Sequence, residues 1–133
     1  MDLFPTLARI AGGKVPRDRP IDGVDQTDFL LGKQKKSNRE GVIVYMGNDI
    51  FGLKWRNWKI NFLEIETVYS VVGKNGMPRV YNLHTDPGET LNTFFPNTWV
   101  TKAGMVQLTA HAKSLKENPP IAPGTLDPYQ PPK

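Results

Sequence analysis

Apolar residues near the N-terminus recur at helical spacing, and the stretch that follows loses this periodicity. Residues 2–12 carry the helical pattern, and Gly12-Gly13 supplies the stop signal. Residues 13–40 contain repeated proline and Asp-Gly turn signals, with one short apolar cluster at 28–32 that could form a helical turn. The pattern therefore predicts a short N-terminal helix followed by an irregular linker.

The middle of the chain changes to a strand-like pattern. Residues 42–45 are rich in β-branched side chains and lie between glycines. In residues 51–62, a two-residue turn at Arg56-Asn57, or a slightly longer loop, would form a hairpin. The hairpin would place six apolar side chains on one face and two lysines on the other: Phe51, Leu53, Trp55, Trp58, Ile60 and Phe62 against Lys54 and Lys59.

The second half of the chain predicts further strands and one long helix. Residues 68–72 and 80–83 have strand character, and 73–76 between them is a hairpin signal. From about 98 to 117 the spacing is helical. Two neighbouring apolar stripes run along this helix: Trp99, Ala103, Val106 and Ala110, then Met105, Leu108, Ala112 and Leu115.

This order of elements predicts an α+β fold, in which a small antiparallel β-sheet of about four strands packs against the long C-terminal α-helix. At 133 residues the chain has the size of a single domain. Its parts are the N-terminal helix and linker (1–40), the sheet with its helix (41–117) and a proline-rich tail (118–133).

Composition narrows the possible chemistry. The chain has no cysteine, which excludes disulfides and thiol chemistry, and its net charge of +4 is no nucleic-acid signature by itself. No apolar run is long enough to span a membrane. The N-terminus shows no signal peptide, so cytoplasmic placement is the default expectation.

Five segments carry a family resemblance: in chain order, they are 2–13, 21–32, 55–60, 81–89 and 116–120. Together, in this order, they resemble the C-terminal subdomain of sulfatases, the arylsulfatase type of sulfuric ester hydrolase. Two positions depart from the family's usual residues: Arg56-Asn57 stands where Gly-Asp is common, and Asn82 where Asp is common. The resemblance covers nearly the whole chain.

The resemblance also implies what this chain does not supply. The family hydrolyses sulfate esters with a formylglycine nucleophile, made from Cys or Ser in a C/S-x-P-x-R motif, and with a calcium ion. Both belong to the large N-terminal catalytic domain, and full-length members are often periplasmic or secreted. No such motif occurs in this sequence. We therefore expect a stand-alone or truncated module that is inactive alone, with no catalytic, cofactor or metal residues.

Two groups of residues are candidates for binding. Lys54, Arg56 and Lys59 would form a surface for sulfated or other anionic ligands, although the tryptophans among them fit a core better. Phe4, Leu7 and Ile10 would form an apolar patch facing a partner, either a catalytic sulfatase domain or a second copy in a dimer. A binding module and a structural or oligomerisation domain therefore remain as alternative functions.

The spacing and sequence context of the remaining polar candidates favour structural roles. The two histidines, His84 and His111, have no second ligand at metal spacing. The three aspartates at 22, 25 and 28 do not match a calcium loop and fit turns and caps. Asp86 before Pro-Gly fits a side-chain hydrogen bond within its own turn, and Glu89 fits a solvated position.

Overall fold

A four-stranded antiparallel sheet, with its strands side by side in chain order, is followed by one long helix, which confirms the predicted α+β fold. The computed structural model describes residues 1–17, 20–64, 73–120, 122 and 124–125. Among the described residues, no helix is long and apolar enough to cross a membrane. The elements are α1 (Leu3–Ile10), α2 (Thr27–Leu30), β1 (Gly41–Met46), β2 (Asp49–Trp55), β3 (Trp58–Glu64), β4 (Gly73–Asn82), a 3-10 turn (Phe95–Asn97) and α3 (Thr98–Glu117).

The predicted two-residue turn at Arg56-Asn57 is confirmed. It places Trp55 opposite Trp58 and Leu53 opposite Ile60. Arg56 adopts a φ of 51°, a left-handed conformation that is costly for a residue with a Cβ. The ladder hydrogen bonds on both sides of the turn hold Arg56 in this conformation, so the register of β2 and β3 is set without the glycine that such turns prefer.

Phe51 is an exception to the predicted face of six apolar side chains. The β1–β2 register shifts by one residue between Val44 and Tyr45, and Phe51 is the extra residue on β2. Its ring centroid lies 5.9 Å from the Lys59 Nζ, on the side of the sheet predicted to be polar. A β-bulge breaks the strict alternation of strand side chains, which explains why the prediction was wrong at this position.

The hairpin predicted at 73–76 is also wrong, because these residues already belong to β4. Gly73 pairs with Glu64 and Lys74 pairs with Leu63, so the antiparallel ladder has begun before the expected turn. The strand predicted at 68–72 lies outside the described residues, as does most of the proline-rich tail.

The core forms where α3 crosses the β2–β3 hairpin. Its fully buried apolar residues are Leu53, Ile60, Val80 and Val100, and both hairpin tryptophans pack against them. Gly104 allows the helix to approach closely, since a Cβ there would lie 2.6 Å from Ile60 Cδ1 and 2.9 Å from Leu53 Cδ2. A glycine inside a helix lowers helix stability by about 1 kcal/mol, and here it provides space for two core side chains.

The face of α3 that meets the sheet is narrower than the two predicted stripes. Val100 and Gly104 are buried and Leu108 packs on the core. Trp99, Met105 and Val106 are at least half exposed, although Trp99 still makes edge-to-face contacts with both hairpin tryptophans. The apolar periodicity identified the helix correctly. It placed Leu108 correctly on the contact line but missed Val100 and Gly104, and a glycine gives no apolar signal in a helical stripe.

We predict that Gly104→Val lowers the free energy of unfolding by about 2 kcal/mol, since the larger side chain must displace Ile60 and Leu53 from a packed core. Ala110→Val, at an exposed position of the same helix, should cost only about 0.5 kcal/mol through helix propensity. Urea denaturation followed by tryptophan fluorescence measures both. Equal effects of the two substitutions would contradict the close contact.

Candidate partner-binding face and ligand-binding cavity

Helix α1 presents most of its apolar side chains to solvent. Leu3, Phe4, Leu7 and Ile10 are between 53% and 65% exposed, whereas the buried residues of the helix are Pro5 and Thr6. The three residues proposed from sequence as a partner-facing patch are thus exposed together, and Leu3 joins them. We call these four residues the α1 apolar face. Exposing these apolar side chains to water costs free energy, and contact with another protein surface could bury them.

Thr6 connects α1 to the linker through buried hydrogen bonds. The backbone N–H of Gln26 donates to Thr6 Oγ1 at 2.9 Å, and the Thr6 hydroxyl itself donates to the Asp2 carbonyl at 2.6 Å. This arrangement turns the polar side of α1 toward the rest of the chain. The apolar side of the helix is therefore the side left facing outward.

An ion pair between Asp2 and Arg39 joins the start of α1 to the residues before β1. Arg39 Nε donates to Asp2 Oδ2 at 2.7 Å, and a second guanidinium nitrogen donates to Oδ1. The Val24 N–H donates to the same carboxylate at 2.9 Å. The hydrogen bond from Arg39, aided by the one from Val24, lowers the pKa of Asp2 to about 2.

A second ion-pair cluster lies at the other end of α1. Arg9 donates to Asp25 Oδ2 at 2.6 Å and to Asp28 Oδ2 at 3.0 Å. Asp25 also accepts the Thr27 N–H and hydroxyl, and the hydrogen bonds from Arg9 and Thr27 lower its pKa to about 2. The aspartates at 25 and 28 thus form ion pairs and a turn. The side-chain turn of Asp25 with Thr27 agrees with the turn role predicted for this residue.

The three candidate cations on the hairpin do not form one free surface. Lys59 is bound by Glu89, with its Nζ 2.6 Å and 2.7 Å from the two carboxylate oxygens. Arg56 donates to Glu40 Oε1 at 3.0 Å and stacks over the Trp55 ring at 4.9 Å. Lys54 Nζ donates to the Arg56 carbonyl at 2.8 Å. Lys54 differs from the other two cations, because the hydrogen bond described for it goes to a neutral carbonyl and not to a carboxylate. Its positive charge is therefore not balanced by that contact.

The other polar candidates take mainly local roles. Asp86 accepts hydrogen bonds from the Thr90 and Leu91 N–H groups, as expected for a turn, and these bonds lower its pKa. Glu89 was predicted to be merely solvated and instead binds Lys59. His84 is exposed, while the His111 Nε2 lies 2.7 Å from the Tyr45 hydroxyl and links α3 to β1.

A cavity of about 410 Å³ lies where α1 and the linker meet the β1–β2 edge of the sheet. Gln26 lines it, together with Arg39, Lys54 and Arg56. Sequence reasoning did not single out Gln26 or Arg39, because no local motif marks them. Their importance arises from contacts across more than ten residues of irregular linker, which periodicity cannot detect.

Sulfatases match this chain in both sequence and fold. The steryl-sulfatase of Mus musculus is 30% identical over 112 residues, covering 67% of this chain and 18% of the relative. The Homo sapiens steryl-sulfatase is 35% identical over 82 residues, covering 57% and 14%. The crystal structure of the PsFucS1 sulfatase from Pseudoalteromonas sp. superposes with a TM-score of 0.80 at 28% identity, covering 91% of this chain and 26% of that one. No protein-family model matches.

The chain thus spans between 14% and 26% of the length of these relatives. The superposition on the Pseudoalteromonas structure includes 91% of the chain, so nearly the whole chain corresponds to about a quarter of a larger protein.

We predict that Asp2→Asn lowers the free energy of unfolding at neutral pH by about 1 kcal/mol, because the substitution removes a charged, partly exposed ion pair. Because the pKa of Asp2 is lowered on folding, its stabilising effect is present above the ordinary value of 3.8 and is lost as pH falls toward about 2. As pH falls from 3.8 to about 2, the Asp2→Asn variant should therefore lose less stability than the parent does.

Thermal unfolding followed by circular dichroism between neutral and acid pH measures this difference. Asp49→Asn, at an exposed position of β2, is the matched control and should lower stability at neutral pH by less than Asp2→Asn does. An Asp2→Asn profile that parallels the parent profile down to the acid limit would show that the Arg39 pair does not contribute to stability.

Proposed function

Because the chain is homologous to the C-terminal subdomain of sulfatases, we propose that it functions as the C-terminal module of a sulfuric ester hydrolase and completes a catalytic domain. On this proposal the module alone is inactive. The nucleophile and the calcium ion implied by the resemblance would come from the catalytic domain. The module would contribute the surface on which that domain rests.

The observation that carries the proposal is the α1 apolar face. Four large apolar side chains on one side of an eight-residue helix are exposed, while the helix itself is fixed by ion pairs at both ends. A surface that is rigid and apolar is suited to permanent contact, because little conformational entropy remains to be lost on binding. The short length of the chain relative to its sulfatase relatives agrees with a missing partner surface of this kind.

A chimera tests the proposal. This chain would replace the matching part of the PsFucS1 sulfatase, and sulfate release from the substrate of that enzyme would be measured. We expect the chimera to be clearly more active than the enzyme truncated before this part, and Leu7→Asp in the chimera to reduce activity at least tenfold by placing a charge in the contact. Val106→Asp, at an exposed position of α3, is the matched control and should have little effect.

Two results would contradict the proposal. One is a chimera that folds, as judged by circular dichroism, yet is no more active than the truncated enzyme. The other is a chimera in which Leu7→Asp and Val106→Asp have the same effect, because the α1 apolar face would then have no special role.

The same face supports a second proposal, that the isolated chain forms a homodimer through α1. Burying these apolar side chains between two copies of the chain lowers the free energy of the system. Two-fold pairing would use the same patch on both subunits. We expect sedimentation equilibrium at micromolar concentrations to show a reversible dimer. Leu7→Asp should shift it to monomer, and Val106→Asp should not. A parent chain that stays monomeric throughout would refute dimer formation and leave the chimera test unaffected.

A further inference from the structure

A short segment between α2 and β1, residues 33–38, concentrates positive charge. We call it the lysine loop, and its cations are Lys33, Lys35 and Lys36. All three are exposed, and none of them makes an ion pair within the part of the chain that the structure describes. The acidic residues on either side, Asp28 and Glu40, are each paired with an arginine. The loop therefore carries three positive charges that no described carboxylate balances.

Side-chain amides brace the backbone of the lysine loop. Gln34 Nε2 donates to the Lys36 carbonyl at 2.7 Å and to Asn38 Oδ1 at 2.9 Å. Asn38 Nδ2 in turn donates to the Asp25 carbonyl at 2.7 Å, which ties the end of the loop to the linker. A braced loop presents its charges in a defined arrangement, so less conformational entropy is lost when a ligand binds.

An open groove of about 490 Å³ lies along the lysine loop. The residues that line it are Gln34, Lys35, Lys36, Ser37, Asn38 and Glu40. This lining is polar and includes no aromatic ring. Surfaces that hold single-stranded nucleic acids combine cations with aromatic rings on which the bases stack. The groove instead suits a chain of hydroxyl-bearing units that carries negative groups at intervals.

We propose that the lysine loop binds a sulfated polysaccharide, with Lys35 and Lys36 on sulfate groups in the groove and Lys33 on a further sulfate. An isolated sulfate ion carries two negative charges and would leave one ammonium group unbalanced, whereas a polymer can contact all three. The hairpin cation predicted for anionic ligands is not part of this surface, since Lys59 is held by Glu89. The inference does not depend on the chain acting in a sulfatase.

Binding of fluorescently labelled heparin fragments to the full chain, followed by anisotropy at several salt concentrations, tests the site. We expect heparin to bind at least tenfold more tightly than completely desulfated heparin, which keeps the sugar chain and its carboxylates. An oligothymidylate of matched charge should bind severalfold more weakly than heparin, because the groove offers no ring for base stacking.

Single substitutions in the exposed loop locate the site. Each contact with a charged polymer releases counterions, so Lys35→Gln and Lys36→Gln should each make the dependence of log K on log salt concentration shallower by about 1. Lys102→Gln removes the same charge from an exposed position of α3 and should leave that slope unchanged. Gln34→Ala keeps every charge but removes the brace, so it should weaken binding severalfold at an unchanged slope.

Three results would overturn the proposal. The first is equal binding of heparin and desulfated heparin. The second is a slope that Lys102→Gln lowers as much as Lys35→Gln does, which would indicate attraction to the net charge of the chain. The third is an oligothymidylate that binds as tightly as heparin, which would indicate a surface for any polyanion. Circular dichroism of each variant confirms that these exposed substitutions leave the fold intact.

Discussion

The contact between Gly104 of α3 and the paired side chains Leu53 and Ile60 determines how the rest of the chain is arranged. The two-residue turn at Arg56-Asn57 sets the register that places those side chains opposite each other. A one-residue slip would turn both side chains to the other face of the sheet and leave the helix without a surface to cover. The position of α3, the partial burial of both hairpin tryptophans and the closed core all follow from that register.

Ion pairs, and not apolar packing, organise the N-terminal region. The linker between α1 and β1 contributes little to the apolar core, and its path is fixed by the ion pairs of Asp2 with Arg39 and of Arg9 with Asp25 and Asp28. These pairs hold the polar side of α1 against the linker. They explain how a short helix with an exposed apolar face can keep a defined orientation, which is the condition for using that face in binding.

The elements with strong periodicity could be predicted from sequence, and the failures occurred where periodicity carries no information. The hairpin, its register and the long helix were predictable because apolar positions repeat along them. The bulge at Phe51 could not be predicted, since an extra strand residue leaves no mark in the pattern. Gly104 on the contact line of α3 was missed because glycine counts as neither apolar nor polar in a helical stripe.

The candidate sites likewise include features that could be expected from the sequence and features that depend on long-range contacts. Exposure of Phe4, Leu7 and Ile10 was expected from the resemblance, which implies that another domain normally covers that helix. The pairing of Lys59 with Glu89 could not be predicted, since the two residues lie thirty positions apart and meet only through the turn at Asp86. The cavity beside Gln26 likewise depends on long-range hydrogen bonds of the irregular linker.

The most direct test of the central claim, that the α1 apolar face is the contact surface for a catalytic domain, is amide hydrogen exchange compared between the isolated chain and the PsFucS1 chimera. We predict that the amides of residues 6–10 in α1 exchange at least tenfold more slowly in the chimera, while those of residues 105–112 in α3 change little. Exchange in α1 that is as fast in the chimera as in the isolated chain would contradict the claim.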